Sequence, residues 1–154
     1  MMLRLFIFVL LIVFLSVILN RNVRKKTVKR RTTPKDGREF ESFLYELFKK
    51  AGYQVRKTGF SRDFAADLLI ENRGKLVVLQ AKYYNKPIDK SAVEEAVVAG
   101  TIYGTKYVGV VTNNEIPDRV KDFAKQFESK TFVRKIYLID GKALERLKRG
   151  EKII

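Results

Sequence analysis

Two polar side chains interrupt an otherwise apolar stretch of the sequence, LVVLQAKYY at residues 76–84. Gln80 and Lys82 are two positions apart, and alternate residues of a β-strand face the same side of a sheet. Asp67 opens the apolar segment just before this one. An acid and an amide oxygen suit a hard divalent cation, while a lysine can orient or deprotonate a water or stabilise charge on phosphate. These residue types together favour metal-assisted chemistry on a phosphate ester.

A β-hairpin is the element that would bring Asp67 to this pair. The segments ADLLIEN at 66–72 and KLVVLQAKYY at 75–84 are predicted strands, joined by a tight turn around Asn72 to Gly74. Such a turn places residues whose numbers sum to about 146 or 147 opposite one another, so Asp67 should lie beside Gln80 within one residue of register. A carboxylate, an amide and an ammonium would then converge at one end of two adjacent strands.

The first predicted helix supplies a second carboxylate. Apolar residues recur at helical spacing across 40–48, and Gly52 suits the C-terminal cap. Glu41 lies about 90° from the centre of that apolar face, on the shoulder where a helix meets a sheet. From there its carboxylate can reach a metal held by the strands, although a solvated position on the flank of the helix explains Glu41 equally well.

The remaining elements follow from caps and apolar patterns. Ser91 with Glu94 forms a capping-box signature for a helix that ends near Gly104. Pro117 suits the first turn of the next helix, and Asp140 is predicted to cap the last one. Further strands are predicted at 53–59, 106–112 and 133–140. The order is αβββαβ with an additional αβα, which indicates an α/β sheet with a hairpin at its centre and crossover helices.

Composition narrows the chemistry that the chain can perform. The sequence contains no cysteine and no histidine, which excludes disulfides, thiolate zinc sites, cysteine nucleophiles and histidine bases or ligands. Carboxylates, lysine, hydroxyl groups or an oxygen-bound metal such as Mg²⁺ must carry any reaction. With 154 residues, 46% of them apolar, the chain is long enough for one domain with a substantial core.

The N-terminal 35 residues differ from the rest of the chain. Residues 1–20 are predicted to be a transmembrane anchor: an apolar run from Leu5 to Leu19 is interrupted only by Ser16. One alternative, a secretory signal peptide, lacks the small-residue cleavage site that it needs; the other is a buried helix. Residues 21–35 form a basic linker with eight Lys or Arg and no acid, which suits contact with lipid headgroups. The positive-inside rule places the N-terminus outside and the following domain, 36–154, in the cytoplasm.

Several segments, in the same order, resemble the Mrr-type restriction endonuclease catalytic domain of the PD-(D/E)XK nuclease superfamily. These segments are DGREFESFLYELFKKAGYQV, SRDFAADLLIENRGKLVVLQAKYYNKPI, YVGVVTNN and IYLIDGKAL. The resemblance implies a restriction-endonuclease-like core and a Mg²⁺-dependent DNA endonuclease, with Mn²⁺ as a substitute. It implies that Asp67, Gln80 and Glu41 hold the metal and that Lys82 completes the catalytic set. Membrane-tethered members with a basic linker also occur in this family.

Two residues depart from the family pattern. The superfamily usually has an acid where this chain has Gln80, so only Asp67 and Glu41 bring negative charge to the metal. The stretch between two aspartates reads Asp63-Phe-Ala-Ala-Asp67, with alanine where glycine is common. Two readings stay open: the alanine alters the approach to Asp67, or Asp63 shares the role of Asp67.

The hypotheses that remain differ in whether DNA is cut. A membrane-anchored endonuclease is the leading one, a non-catalytic DNA-binding module of the same fold is the alternative, and a membrane-surface adaptor leaves the polar trio unexplained. Residues from Asp36 onward carry a net charge of +6, which favours a polyanionic partner. A homodimer is an open expectation, because many nucleases of this class cut duplexes as dimers. The predicted DNA contacts flank the motif and comprise Arg56, Lys57, Arg62, Lys86 and Lys90.

Overall fold

A computed structural model of the chain describes residues 33–58 and 66–154. The predicted anchor at 1–20, the linker up to residue 32, and both Arg62 and Asp63 lie outside the described residues. Within the two described ranges, no helix is both long and apolar enough to span a bilayer. Residues Pro34–Ile154 form one compact unit.

The described elements follow the predicted order of helices and strands. The helices are α1 (Gly37–Lys50), α2 (Ser91–Ile102), α3 (Asp118–Lys130) and α4 (Gly141–Lys148). The strands are β1 (Gln54–Lys57), β2 (Leu68–Asn72), β3 (Lys75–Lys82), β4 (Tyr107–Thr112) and β5 (Lys135–Ile139). The αβββαβ core with an additional αβα is therefore confirmed.

All five strands belong to one mixed sheet, in the order β1-β2-β3-β4-β5. The first three strands pair antiparallel, while β3, β4 and β5 run parallel. Helix α2 connects β3 to β4 and helix α3 connects β4 to β5, as parallel neighbours require a crossover. The carboxyl ends of β3 and β4 consequently meet the amino end of β2 at one edge of the sheet.

Each face of the sheet is covered by two helices. Helices α1 and α4 pack on the face formed by alternate residues of the hairpin, and α2 and α3 cover the opposite face. The first core includes Phe40, Leu44, Phe48, Leu68, Ile70, Val77 and Leu79. The second includes Ala92, Val93, Ala96, Val108, Val110 and Ile136. Because strand residues alternate between faces, Gln80 and Lys82 extend from the α2 side, where Val78 packs against Ala99.

Two of the predicted helix caps are confirmed. The Asp140 carboxylate accepts a hydrogen bond from the Ala143 N–H at 2.8 Å, at the start of α4. After α1, Gly52 adopts a φ of +84°, a conformation in which a Cβ is unfavourable.

The capping-box prediction for α2 is wrong. Its N-cap is Lys90, which makes no side-chain cap bond, and Ser91 is already the first helical residue. The Ser91 N–H instead donates to the carboxylate of Asp89, two residues earlier, at 3.0 Å. This Asx-type turn satisfies the N–H that the Glu94 side chain would accept from in a capping box. Pro117 likewise precedes its helix as the N-cap rather than lying in the first turn.

Candidate active site

The hairpin register brings Asp67 beside Gln80, as predicted. Leu68 is paired with Leu79, and the Asp67 N–H donates to the Leu79 carbonyl at 3.0 Å. The Asp67 side chain returns to the same strand, where its Oδ2 accepts a hydrogen bond from the Ala81 N–H at 2.6 Å. The backbone of β3 therefore fixes the carboxylate between the two residues of the Gln-x-Lys pair.

Gln80 presents an unusual buried oxygen at this position. Its Oε1 is buried and has no hydrogen-bond partner among the described residues. An amide oxygen removed from water without a donor destabilises a fold by about 1–3 kcal/mol. A cation beside Oε1 would offset that cost, since carbonyl oxygens are ligands for hard divalent ions.

Glu41 of α1 lies close enough to Asp67 to respond to its charge. The Glu41 side chain is half-buried. Burial raises the pKa of Glu41, the negative charge of Asp67 raises it further, and the nearby Lys57 and Arg38 oppose this rise. This combination is expected of a partly buried carboxylate near Asp67, and not of a fully solvated position on the helix flank.

Burial also raises the pKa of Asp67. The charge of Glu95 adds to the rise, whereas the hydrogen bond from Ala81 and the charge of Lys82 oppose it. Both Asp67 and Glu41 therefore hold their protons more tightly than ordinary carboxylates do. A cation bound beside two carboxyl groups that burial makes harder to ionise would favour their charged forms.

Lys82 pairs with Glu95, a residue that the sequence-based predictions did not include. The Lys82 side chain is only 12% exposed and forms an ion pair and hydrogen bond with the Glu95 carboxylate on α2. Burial alone would lower the pKa of Lys82, but the hydrogen bond and charge of Glu95, with a smaller contribution from the Tyr84 side chain, outweigh it and raise that pKa. The ion pair therefore favours the ammonium form of Lys82.

A sequence signal for Glu95 was present in the α2 pattern. Ala92 and Ala99, three residues before and four after Glu95, are both buried, and such positions lie on the same side of a helix. Glu94, by contrast, is exposed. A charged residue at the edge of a buried helical stripe needs a partner, and only the packing of α2 on β3 identifies Lys82 as that partner.

The predicted DNA contacts are not equivalent in the structure. Lys57 pairs with Leu68 across β1 and β2, which places it at the same sheet edge as Asp67. The Lys86 carbonyl accepts a hydrogen bond from Asn114, just beyond β4, at 3.1 Å. Lys90 instead lies over the Phe123 ring of α3, with Nζ 5.2 Å from the ring centroid. Arg56, immediately before Lys57 on β1, is exposed.

The donors at this edge fit an oxygen-bound divalent metal with few protein ligands. Within the described parts of the chain, no group of three or more acidic residues is arranged to hold a metal. Asp67, Glu41 and the amide oxygen of Gln80 are the candidate ligands. Mg²⁺ commonly uses one or two carboxylates together with waters and substrate phosphates, so this donor set suits it.

Comparison with known proteins identifies a family across most of the chain. The restriction endonuclease family of Mrr catalytic domains matches residues 34–148. No curated protein matches the chain.

Among solved structures, the chain is similar in fold to the protein of unknown function AF1548, with 14% identity and a TM-score of 0.53. The match covers 70% of this chain and 59% of AF1548. A second match, to the MspJI restriction endonuclease in complex with a 27-mer oligonucleotide, has 15% identity and a TM-score of 0.43. It covers 70% of this chain and 26% of that one, so this chain spans only part of each protein.

Proposed function

Since the chain belongs to the restriction endonuclease family of Mrr catalytic domains, we propose that it is a Mg²⁺-dependent endonuclease that hydrolyses phosphodiester bonds of DNA. A restriction endonuclease domain implies a hydrolase that acts on DNA, and domains of this type generally use divalent metals. The observation that carries the proposal is the meeting of Asp67, the unpartnered Gln80 Oε1 and the Lys82 ammonium at one sheet edge.

Three side chains are proposed to hold the metal. Asp67 and the Gln80 amide would supply oxygens from β2 and β3, and Glu41 would approach from α1 directly or through water. A bound Mg²⁺ ion polarises a phosphoryl oxygen and lowers the pKa of the attacking water. Mn²⁺ is the expected substitute because the same oxygen donors accept it. The neutral Gln80 leaves two carboxylates to balance the charge of the ion.

Lys82 is proposed to act as a fixed cation. Its ammonium group would orient the attacking water or stabilise the negative charge that develops on the phosphate. Glu95 would be a positioning residue, since it keeps the lysine protonated and fixes its side chain. Lys57 and Lys86 are the proposed phosphate contacts at the same edge, while Arg56, Arg62 and Lys90 stay sequence predictions.

Plasmid cleavage tests this proposal. The full chain, purified in mild detergent, is incubated with supercoiled plasmid in Mg²⁺, Mn²⁺ or a chelator. Wild type should convert the plasmid to nicked or linear forms only with metal, and Asp67→Ala and Lys82→Ala should not. Glu71→Gln on β2 and Lys75→Ala on β3 are matched controls, since both residues are exposed and lie at the opposite end of the hairpin. Cleavage by Asp67→Ala at the wild-type rate would contradict the assignment.

The same experiment separates the enzyme from a non-catalytic DNA-binding module. A wild-type protein that retards DNA on a gel, but leaves it intact with every metal tested, would favour the binding module. Two copies of a site that hydrolyses one strand can cut both strands of a duplex in one binding event, so a homodimer on DNA is the proposed cutting form. Sedimentation with and without DNA measures its stoichiometry.

Membrane tethering is a separate part of the proposal. The apolar run at 1–20 and the basic linker at 21–35 support a single span with the N-terminus outside and the nuclease domain in the cytoplasm. Deletion of 1–20 should move the protein from the membrane fraction to the supernatant, whereas the full chain should resist alkaline extraction. A full chain recovered in the supernatant would contradict the anchor and leave the nuclease proposal unaffected.

A further inference from the structure

An exposed aromatic ring lies next to the Gln80 and Lys82 pair. Tyr84 follows Lys82 by two residues, and its side chain lies beside the lysine, with Lys82 Nζ 5.9 Å from the ring centroid. Tyr84 is 43% exposed. It is one of four large hydrophobic residues that are exposed in the described parts of the chain. The other three, Val98, Ile102 and Phe132, belong to other parts of the fold.

The backbone of Tyr84 is held although β3 ends at Lys82. The Tyr84 N–H donates to Asn113 Oδ1 at 3.0 Å, and Asn113 Nδ2 donates to the Tyr84 carbonyl at 3.0 Å. Asn114 Nδ2 donates to the same carbonyl at 2.6 Å and to that of Lys86 at 3.1 Å. The Asn113 side chain thus makes the two hydrogen bonds to the Tyr84 backbone that a paired strand would make. The Asn114 side chain holds the turn from Tyr84 to Lys86.

The adjacent tyrosine shows what an ordinary packing role looks like at this position. The Tyr83 ring packs against Phe40 with centroids 5.1 Å apart, and its hydroxyl donates to the Pro34 carbonyl at 2.6 Å. Among the described residues no such pocket surrounds Tyr84, whose exposed side chain interacts with Lys82. An aromatic ring kept exposed on a fixed backbone gains little from folding, but it is preorganised for contact with a ligand.

The chemistry beside the ring indicates which ligand it would contact. A nucleotide joins a charged phosphate and a flat base through one sugar, and here an ammonium and an aromatic ring are neighbours. Aromatic side chains bind exposed bases by stacking, which tolerates any base because each has a π-face. A paired base inside a duplex offers no free face, so stacking requires an unpaired or displaced nucleotide.

We propose that Tyr84 contacts the substrate by stacking on an unpaired base next to the cleaved phosphate, and that Asn113 and Asn114 are positioning residues that hold it there. The inference rests on the proposed nuclease function and adds a substrate class to it. DNA with an unpaired nucleotide at the cleavage position is bound more tightly than fully paired DNA of the same length.

Binding without cleavage tests the role of the ring. The full chain in detergent is titrated, in chelator, with a fluorescent duplex that carries one unpaired nucleotide and with its fully paired counterpart. Tyr84→Ala should weaken binding of the first duplex by about 5- to 150-fold, the usual effect of losing one base-stacking ring. Tyr84→Phe keeps the ring but removes the hydroxyl that interacts with Lys82, so it should keep the wild-type preference for the duplex with the unpaired nucleotide. Phe132→Ala removes a similarly exposed ring. Phe132 precedes β5, at the opposite end of the sheet, so this change should leave the affinity for both duplexes unaltered.

A double-mutant cycle tests the two asparagines. Asn113→Ala and Asn114→Ala should weaken binding of the unpaired duplex in wild type, but add little once Tyr84 is alanine, because all three act through one contact. Losses that add fully would show that the asparagines do not act through Tyr84 and would contradict their role as positioning residues. Irradiation of wild type with an oligonucleotide carrying 5-iododeoxyuridine at the unpaired position should produce an adduct that mass spectrometry maps to Tyr84.

The outcomes separate this inference from the nuclease proposal. Wild type that binds and cuts DNA, with no preference for the unpaired nucleotide and no change in Tyr84→Ala, overturns the inference and leaves the nuclease intact. Wild type that neither binds nor cuts DNA overturns both. An adduct at Tyr84 with a loss of affinity confined to the unpaired duplex supports the inference.

Discussion

Replacing Glu95 with glutamine isolates the charge that holds Lys82. The substitution keeps an acceptor of nearly the same size near the lysine but removes the negative charge from α2. In wild type, Glu95 raises the pKa of Lys82 against the effect of burial. In Glu95→Gln burial acts with less opposition, so the pKa of Lys82 falls and the ammonium is held less firmly.

The expected magnitudes follow from the exposure of the pair. The Lys82 side chain is 12% exposed and that of Glu95 is 42% exposed. An exposed ion pair contributes about 0–1 kcal/mol to stability, whereas breaking a buried one costs about 3–5 kcal/mol. The half-buried Lys82–Glu95 pair should have an intermediate effect. We expect a loss of about 1–2 kcal/mol in the free energy of unfolding. Removal of a residue that orients a catalytic group lowers activity by about 10- to 100-fold, less than the loss of Lys82 itself.

Rates of plasmid nicking between neutral and alkaline pH measure the effect. The ammonium form is fully present below the ordinary lysine pKa, and it is lost as the pH rises through the raised value. Activity of Glu95→Gln should therefore decline at a lower pH than that of wild type. Glu94→Gln is the matched control, because it removes the same charge from the adjacent, exposed position of α2. If both variants nick at the same rate with the same pH profile, Glu95 does not position Lys82.

Three further results are expected. Because burial raises the pKa of Asp67, the folded chain keeps the Asp67 proton to a higher pH than the unfolded chain does. The free energy of unfolding therefore falls as the pH rises from the ordinary pKa of an aspartate through the raised one. Metal-free Asp67→Asn should thus resist urea better than wild type at pH 7, and equal midpoints would refute this. Mg²⁺ should raise the melting temperature of wild type but not of Asp67→Asn; an equal rise would place the ion elsewhere. Gly109→Ala should lose about 1–3 kcal/mol by overpacking, since its Cβ would lie 2.7 Å from Leu79 Cδ2 and 2.8 Å from the Tyr137 carbonyl oxygen. Gly37→Ala, which meets nothing within 4 Å, is its control, and equal unfolding midpoints would refute the packing argument.

Local sequence patterns were sufficient to predict the hairpin and its register. The turn around Gly74 and the two-residue repeat of a strand fix which residues oppose each other, so Asp67 was correctly placed beside Gln80. A slip of one residue would turn every apolar side chain of the strand to the wrong face. The same local logic identified the cap at Asp140, because a side chain and the N–H three residues later belong to one turn.

Local reasoning failed where two sequence patterns competed for the same groups. Ser91 and Glu94 match a capping box, but Asp89 accepts from the Ser91 N–H and removes the need for it. Both arrangements satisfy a donor at the helix start, and the sequence does not rank them.

The sequence by itself determined the order of elements, the register of the hairpin and the residue types that meet at its open end. Only the tertiary structure decided that Glu95 pairs with Lys82, that the charge of Asp67 raises the pKa of Glu41, and that Asn113 fixes Tyr84. These contacts join residues on different elements, separated by 13 to 29 positions. Hairpin register is set by a repeat along the chain, whereas the contacts between elements depend on how α1, α2 and the end of β4 pack around β3.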